Sequence, residues 1–269
     1  MIDGPSRIRY CLEKMYHEAT TGRPGPVLVD IAKNATSDKA EYEKQIPKII
    51  PRSTEKIAEA AIEDALKIIR QAEKPMVFVG GGAVIANADR EVMEFVEKID
   101  APVTDTLMGK GAFPGTHERY VGMLGMHGTK TANLSVSECD VLVVIGSRFS
   151  DRVTGNTENF AKNATIIQID VDEAEINKNV MVDLSVVGDI KSVLDILNAK
   201  LEKLSHADWM EKVMERKKNL PMTYHPEGVT GPYIMETLDK LTGGDAIICT
   251  EVGQHQMWAA QYYHYLKPR

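Results

Sequence analysis

Short runs of aliphatic and β-branched residues, closing on or near Gly or Asp, recur along the chain with polar, helix-forming stretches between them. The runs are Val27-Leu-Val-Asp-Ile31, Met76-Val-Phe-Val79, Pro102-Val-Thr-Asp105, Val141-Leu-Val-Val-Ile145, Thr165-Ile-Ile-Gln-Ile-Asp170 and Ala246-Ile-Ile-Cys249. Uninterrupted apolar runs, as opposed to strict alternation, predict strands buried on both faces, as in a parallel sheet covered by helices. From Ser53 to Glu73, Ile57, Ala61, Ala65 and Ile69 recur every four residues with Ile62 and Leu66 beside them, which predicts a helix. Ser53 or Thr54 can cap it, and Glu55 suits its first turn. Asp89 to Ile99, Lys191 to Leu204 and the charged stretch His206 to Lys218 predict further helices. Strands alternating with helices predict an α/β fold with a doubly covered parallel sheet.

Two polar, proline-bearing stretches divide the chain. Ala32 to Arg52 contains Pro47 and Pro51 and reads as a linker; Leu220 to Pro232 carries Pro221, Pro226, Gly228 and Gly231 and opens a new helix at Pro232. The expected organisation is a flanking piece over 1–52, a self-contained α/β domain over 53–205, and a further piece over 206–269, neither end having a core of its own.

Composition narrows the function classes. The 269 residues carry 32 Lys+Arg against 39 Asp+Glu, a net charge of −7, which argues against a nucleic-acid backbone binder. Three distant cysteines, Cys11, Cys139 and Cys249, form neither a disulfide framework nor a zinc pattern and fit a reducing cytoplasm. The apolar runs are far shorter than the roughly 20 residues that span a bilayer, and no signal peptide is legible, so a cytoplasmic protein is expected.

In an open parallel sheet, ligands bind beyond the carboxyl ends of the strands. Gly80-Gly81-Gly82 follows one strand; it is either a simple strand–helix turn or a phosphate loop, with Ile85 where a dinucleotide fingerprint has its third glycine. Gly146-Ser147-Arg148-Phe149-Ser150-Asp151-Arg152 follows another, and Asp170 ends the next strand 24 residues after Gly146. A glycine turn followed at that spacing by an acid suits a ribose hydroxyl, and forked arginines suit phosphates. Alternatively, Asp151 pairs with a surface arginine and Asp170 caps a helix. Gly125 and Gly128 flank Met126-His127, which lets backbone approach a bulky group; His127 has no catalytic partner in sequence. Thr250 to Trp258 places Gln254 and His255 at a helix N-terminus, which suits a diphosphate or is plain capping.

Taken together, Thr21-Gly-Arg-Pro-Gly-Pro-Val-Leu-Val-Asp30, the Gly80–Gly82 loop, Tyr120-Val-Gly-Met-Leu-Gly-Met-His-Gly128, Gly146-Ser-Arg-Phe-Ser-Asp-Arg-Val153 and Gly253-Gln-His-Gln-Met-Trp258 resemble the large, catalytic subunit of acetolactate synthase, a thiamine-diphosphate enzyme. The resemblance covers essentially the whole chain. It implies that 1–52 is the C-terminal remnant of the family's pyrimidine-binding domain with a linker, that 53–205 is the Rossmann-like central domain, which in the family binds FAD, and that 206–269 is a linker with the start of the diphosphate-binding domain. The matching positions are Gly80, Gly81, Gly82, Thr106, Leu107, Met108, Leu124, Gly125, Met126, His127, Gly146, Ser147, Arg148, Phe149, Asp151, Arg152, Asp170, Val171, Glu175, Gly188 and Asp189. Val252, Gly253, Gln254 and His255 match positions that contact the thiamine diphosphate, and Met126, Asp151 and Arg152 match the lining of a substrate channel. Ser150 departs from the family, where an acid is common, and Ile31 to Asn34 departs from its usual Ile-Pro-Lys-Asp.

The resemblance further implies a decarboxylating condensation of pyruvate with a second 2-oxo acid in branched-chain amino acid biosynthesis, a homo-oligomer, and a small regulatory subunit as partner. The family's activating glutamate and its magnesium-binding Gly-Asp-Gly…Asn motif have no match among these residues. The expectation is a fragment that binds nucleotide and is inactive alone, with no catalytic residue and no metal ligand assigned. The competing expectations are a free-standing nucleotide-binding module, or the central part of a sibling such as pyruvate oxidase or glyoxylate carboligase.

Overall fold

Six parallel strands form one sheet in the computed structural model of the chain, which describes residues 1–41, 57–225 and 227–268. They are β1 (Pro75–Val79), β2 (Val103–Asp105), β3 (Tyr120–Met123), β4 (Val141–Ile145), β5 (Thr165–Asp170) and β6 (Leu184–Val187), in the spatial order β3-β2-β1-β4-β5-β6. The order runs outward in both directions from the β1–β4 seam, which makes that seam a topological switch point. Val79 pairs with Ile145, and Ile145 in turn with Ile169. Gly80, Gly146 and Asp170, the next residue of each strand, therefore stand in one row at the carboxyl edge.

The α-helices of the described residues are α1 (Ile8–Thr20), α2 (Lys33–Ser37), α3 (Glu59–Gln71), α4 (Gly81–Ile85), α5 (Asp89–Lys98), α6 (Lys130–Glu138), α7 (Asp151–Thr154), α8 (Ile190–Lys200), α9 (Ala207–Asn219), α10 (Gly231–Thr242) and α11 (Gln254–Tyr262). Strand side chains alternate between two cores, as a period of two requires. Val77, Val79, Val143, Ile145, Ile167 and Ile169 meet α3, α5 and α8 through residues such as Leu66, Phe95 and Leu194. Met76, Phe78, Leu142, Val144 and Ile166 meet α6 and α9 through Val136, Trp209 and Val213. Covering both faces is why β1 and β4 are buried throughout and carry no polar residue. Trp209 is held in this second core by its indole N–H, which donates to the Pro75 carbonyl at 2.9 Å.

The chain divides into two compact units, 1–56 and 57–269. In the first, α1 and α2 accompany a single bridge between Ile2 and Ile31. The second contains the whole sheet together with α9, α10 and α11.

Several expectations need correction. Val27–Ile31 is not a strand beyond the Ile31 bridge, and Leu28 is 91% exposed; Ala246–Cys249 is irregular, with Ile247 91% exposed. Among the described residues neither run has a neighbouring strand to take its backbone hydrogen bonds, and an apolar run without one has no reason to extend as a strand. Conversely, β3 and β6 are strands that no apolar run announced. Both are sheet edges, where Gly122 and Ser185 interrupt the pattern. The helix expected from Ser53 begins at Glu59 behind Ala58; Ser53, Thr54 and Glu55 lie outside the described residues, as do Pro47, Pro51 and Pro226. The described part of the Ala32–Arg52 linker contains α2. At the second boundary, Thr230 caps α10, accepting from the Tyr233 N–H, and Pro232 occupies its first turn.

Candidate nucleotide site at the switch point

The glycine turns after β1 and β4 touch each other backbone to backbone. The N–H of Gly80 donates to Ile145 O at 2.8 Å and that of Gly82 to Gly146 O at 3.0 Å. A Cβ on Gly80 would stand 2.2 Å from Gly146 O, and one on Gly146, at φ +62°, would stand 2.6 Å from the Gly82 Cα. A Cβ on Gly81 would stand 2.9 Å from the Met108 Cβ. Close loop packing by itself accounts for this glycine cluster, so the case for a ligand passes to the side chains around it.

After Gly146 the chain presents Arg148 and Arg152 to solvent, and among the described residues neither makes an ion pair. Between them Phe149 is buried at φ +53°, its ring 6.5 Å from Phe78 and 5.8 Å from Phe160 between centroids. A bulky residue in the left-handed region is costly, and this aromatic cluster is what holds it there. Among the described residues Asp151 does not pair with an arginine side chain: its Oδ1 accepts from Ser150 Oγ at 3.0 Å and from the Arg152 N–H at 2.9 Å.

Leu124 to His127 joins this loop. The Met126 N–H donates to Arg152 O at 2.9 Å, and Gly125, at φ +104°, leaves no room for a Cβ, which would lie 2.5 Å from the same oxygen. Met126 is 64% exposed and Met108 55%, so two thioethers stand on the surface. Thr106 caps the turn after β2, accepting from the Gly109 N–H at 2.9 Å, and presents Leu107 and Met108 beside Gly81.

Asp170 is buried, and burial pushes its carboxyl above the usual range; neighbouring Asp172 and Glu175 push the same way. Its Oδ1 accepts from the Asp172 N–H at 3.0 Å, and no cation pairs with it among the described residues. It closes a local turn; the cap of the following short helix is Asp172, which accepts from the Ala174 N–H. Val171 sits in the turn. Glu175 is buried beside Lys178 at 3.0 Å. Gly188 donates to Asp170 O at 2.9 Å, and Asp189 caps α8, accepting from the Ser192 N–H and Oγ.

One acid escaped the sequence reading. Asp105 follows Gly80 by 25 residues, close to the 24 between Gly146 and Asp170, and likewise ends the strand next to a glycine turn. The repeated spacing was the available signal. Its environment is different: Lys110 Nζ lies 3.2 Å from Asp105 Oδ1, and the Tyr120 hydroxyl donates to it at 3.0 Å. A cavity of about 500 Å³ lies along this β3 side, lined by these three residues, His127, Lys217 and Tyr265. It meets the switch-point loops at Met123 and His127.

Val252, Gly253, Gln254 and His255 stand at the start of α11, Val252 91% exposed. Two turns on, Gln261 Nε2 donates to His127 O at 2.8 Å. Among the described residues no group of three or more His, Cys, Asp or Glu is placed to hold a metal ion, and no helix is long and apolar enough to cross a membrane.

Residues 62–197 match the family described as the thiamine pyrophosphate enzyme, central domain. The chain is 42% identical over 281 residues to the acetolactate synthase large subunit of Corynebacterium glutamicum, covering 100% of this chain and 45% of that protein. It is 41% identical to a probable acetolactate synthase large subunit of Methanocaldococcus jannaschii, covering 48% of it, and 42% identical to the chloroplastic acetolactate synthase of Arabidopsis thaliana, covering 40%. The chain thus spans a little under half the length of the curated relatives it matches. It belongs to the thiamine pyrophosphate enzymes and carries their central domain.

Proposed function

We propose that this chain is part of an acetolactate synthase catalytic subunit and that its sheet binds FAD at the β1–β4 switch point. The observation that carries the reading is a pair of guanidinium groups, Arg148 and Arg152, on the same sheet edge as a buried acid, Asp170, none of which makes an ion pair among the described residues. A dinucleotide has the complementary parts: phosphates for the arginines and ribose hydroxyls that donate to a carboxylate. Met108 and Met126 are exposed, polarisable side chains of the kind that pack on a flat ring. When bound, the flavin is a structural group, since condensing two 2-oxo acids transfers no net electrons.

In the complete enzyme the reaction is the decarboxylation of pyruvate and its condensation with a second 2-oxo acid, feeding branched-chain amino acids. Met126, Asp151 and Arg152 line the approach to the reacting carbon, Arg152 attracting the substrate carboxylate. Val252, Gly253, Gln254 and His255 contact the diphosphate of thiamine diphosphate, whose Mg2+ is held by residues other than these. A homo-oligomer, with a regulatory subunit, is the working form, in the cytoplasm. The relatives' names favour this reading over pyruvate oxidase, glyoxylate carboligase or a free-standing nucleotide module.

The test is to titrate the purified 269-residue chain with FAD and with ADP, following flavin fluorescence and heat, and then to assay pyruvate consumption with thiamine diphosphate and Mg2+. Saturable FAD binding without pyruvate turnover is expected. Failure to bind either nucleotide overturns the flavin assignment; turnover by the 269 residues overturns the division of labour.

A further inference from the structure

Four carboxamide side chains, each from a different part of the fold, donate to backbone carbonyls of the two loops that meet at Arg152. Asn133 of α6 donates to Gly125 O at 3.0 Å and accepts from the Gly125 N–H at 3.2 Å. Gln261 of α11 holds His127 O at 2.8 Å. Gln168 of β5 donates to Ser147 O at 3.2 Å, and Asn179, just before β6, donates to Arg148 O at 2.8 Å. Gly125 and Ser147 are buried, so their carbonyls need a protein partner, whereas the more open His127 and Arg148 carbonyls would ordinarily turn to water. Here successive peptides on either side of the Met126–Arg152 contact are tied back to the scaffold.

Gln168 is the telling member. It is fully buried on the face of β5 that carries Ile166 into the second core, opposite Ile167 and Ile169, and its Oε1 has no hydrogen-bond partner among the described residues. An amide half satisfied in an apolar core lowers stability, and a leucine of similar volume would fill the place without that cost. Its compensating feature is the Nε2 bond to Ser147 O.

We infer that Gln168 and Asn179, with Asn133 and Gln261, are positioning residues that set the arginine loop before any nucleotide arrives. Because all four are uncharged at every accessible pH, they order the loop without adding a fixed charge beside an anionic ligand. Holding the loop in its binding geometry removes an ordering cost that the ligand would otherwise meet. The inference rests on the flavin reading for what the loop holds, but the order of the loop can be measured with no ligand present.

The experiment uses the full chain, Gln168→Leu and Asn179→Ala, with two readouts and a melting temperature for each. Trypsin cuts after Arg148 and Arg152 in the ligand-free chain, and the products are identified by mass. One lost hydrogen bond loosens the loop by about fivefold, so both variants are expected to be cut about fivefold faster there, with cleavage elsewhere unchanged. Gln168→Leu is expected to melt at the wild-type temperature or above it, which a merely structural glutamine would not allow. FAD affinity is expected to fall by about the same factor in each variant. Equal cutting of the wild type and both variants overturns the inference, as does a Gln168→Leu chain that melts lower with its loop uncut. If the wild type binds no FAD yet the variants are cut faster, the flavin reading falls and the positioning role stands.

Discussion

The Lys110 ammonium lies 3.2 Å from the carboxylate of Asp105, at the end of a strand where a dinucleotide-binding sheet could turn an acid toward a ligand. Burial pushes the Asp105 carboxyl above its ordinary value, with Lys110 and the Tyr120 hydroxyl pulling the other way, and the same burial pushes the Tyr120 phenol well above its own. Asp170, one half-sheet away and at nearly the same spacing from its glycine, has no such cation among the described residues. The two halves of the sheet therefore carry one acid committed to an internal cation and one without a cation among the described residues, and the proposed flavin site uses the second.

Lys110→Met would leave Asp105 buried without its cation. Breaking a buried pair from one side costs about 3–5 kcal/mol, readable as a lower urea midpoint at neutral pH. Adding Asp105→Asn should restore most of the loss, because the amide oxygen still accepts from Tyr120 while the buried charge is gone. The defect of the single variant should also shrink in acid, where Asp105 takes up a proton. A single variant as stable as wild type at pH 7 would show that the pair contributes nothing.

Asp170→Asn is expected to act in opposite directions on folding and on binding. The folded-state carboxyl is raised by burial, so its contribution to stability is full below the unfolded value, near the usual 4, and is lost as pH rises through the folded one. Asparagine keeps the acceptor for the Asp172 N–H without the charge. At pH 7 the ligand-free variant should melt about 2–4 °C higher, and the gap should close by about pH 3, where the wild-type carboxyl is protonated in both states. FAD affinity should fall about tenfold or more, as a charge-assisted hydrogen bond to a ribose hydroxyl is weakened. Melting curves across pH, paired with titrations at pH 7, check both; a variant that melts lower at pH 7 would contradict the assigned burial cost.

The parts of this molecule that were legible in the chain are those buried on both faces. β1 and β4 announce themselves because a central parallel strand has no solvent-facing side on which to place a polar residue, and β5 does so through Ile166, Ile167 and Ile169 although it also carries Gln168 and Asp170. β3 and β6 do not, because an edge strand tolerates Gly122 and Ser185. Isolated apolar runs mislead in the other direction: Ala246–Cys249 has the composition of a strand, but composition cannot supply a hydrogen-bonding neighbour. At the site, the glycine-to-acid spacing was readable. That Phe149 takes a left-handed backbone, and that Lys110 returns five residues to neutralise Asp105, depends on loop paths that no local pattern encodes.

Gly80→Ala tests the contact between the two glycine turns. The new methyl would stand 2.2 Å from Gly146 O and 2.7 Å from the Ser147 Cα, both backbone atoms that cannot swing aside. Overpacking of this kind costs about 1–3 kcal/mol, and the displaced loop should also bind FAD more weakly. Gly243→Ala is the comparison: nothing stands within 4 Å, and its φ of +60° with ψ of +31° adds only the left-handed penalty, about 1 kcal/mol. Denaturant midpoints should rank wild type above Gly243→Ala above Gly80→Ala. The reverse order of the two variants would mean that the turns separate freely.

Cysteine labelling reports whether ligand binding and the integrity of the sheet are linked. Burial raises the Cys139 thiol to about 12, and its sulfur is wholly inside the second core, whereas Cys249 is exposed and Cys11 half-buried. A thiol of that kind reacts only when the structure opens. With Ellman's reagent at pH 8, Cys249 should react at once and Cys139 only at the rate set by unfolding, becoming fast in denaturant. A ligand that binds the folded chain alone lowers the open population by the factor 1 + L/Kd, with L the free ligand concentration. FAD at 100 times its dissociation constant should therefore slow Cys139 labelling about a hundredfold while leaving Cys249 unaffected. Labelling of Cys139 as fast as Cys249 would contradict its burial; slow labelling that FAD leaves unchanged would place the flavin's binding energy outside this sheet.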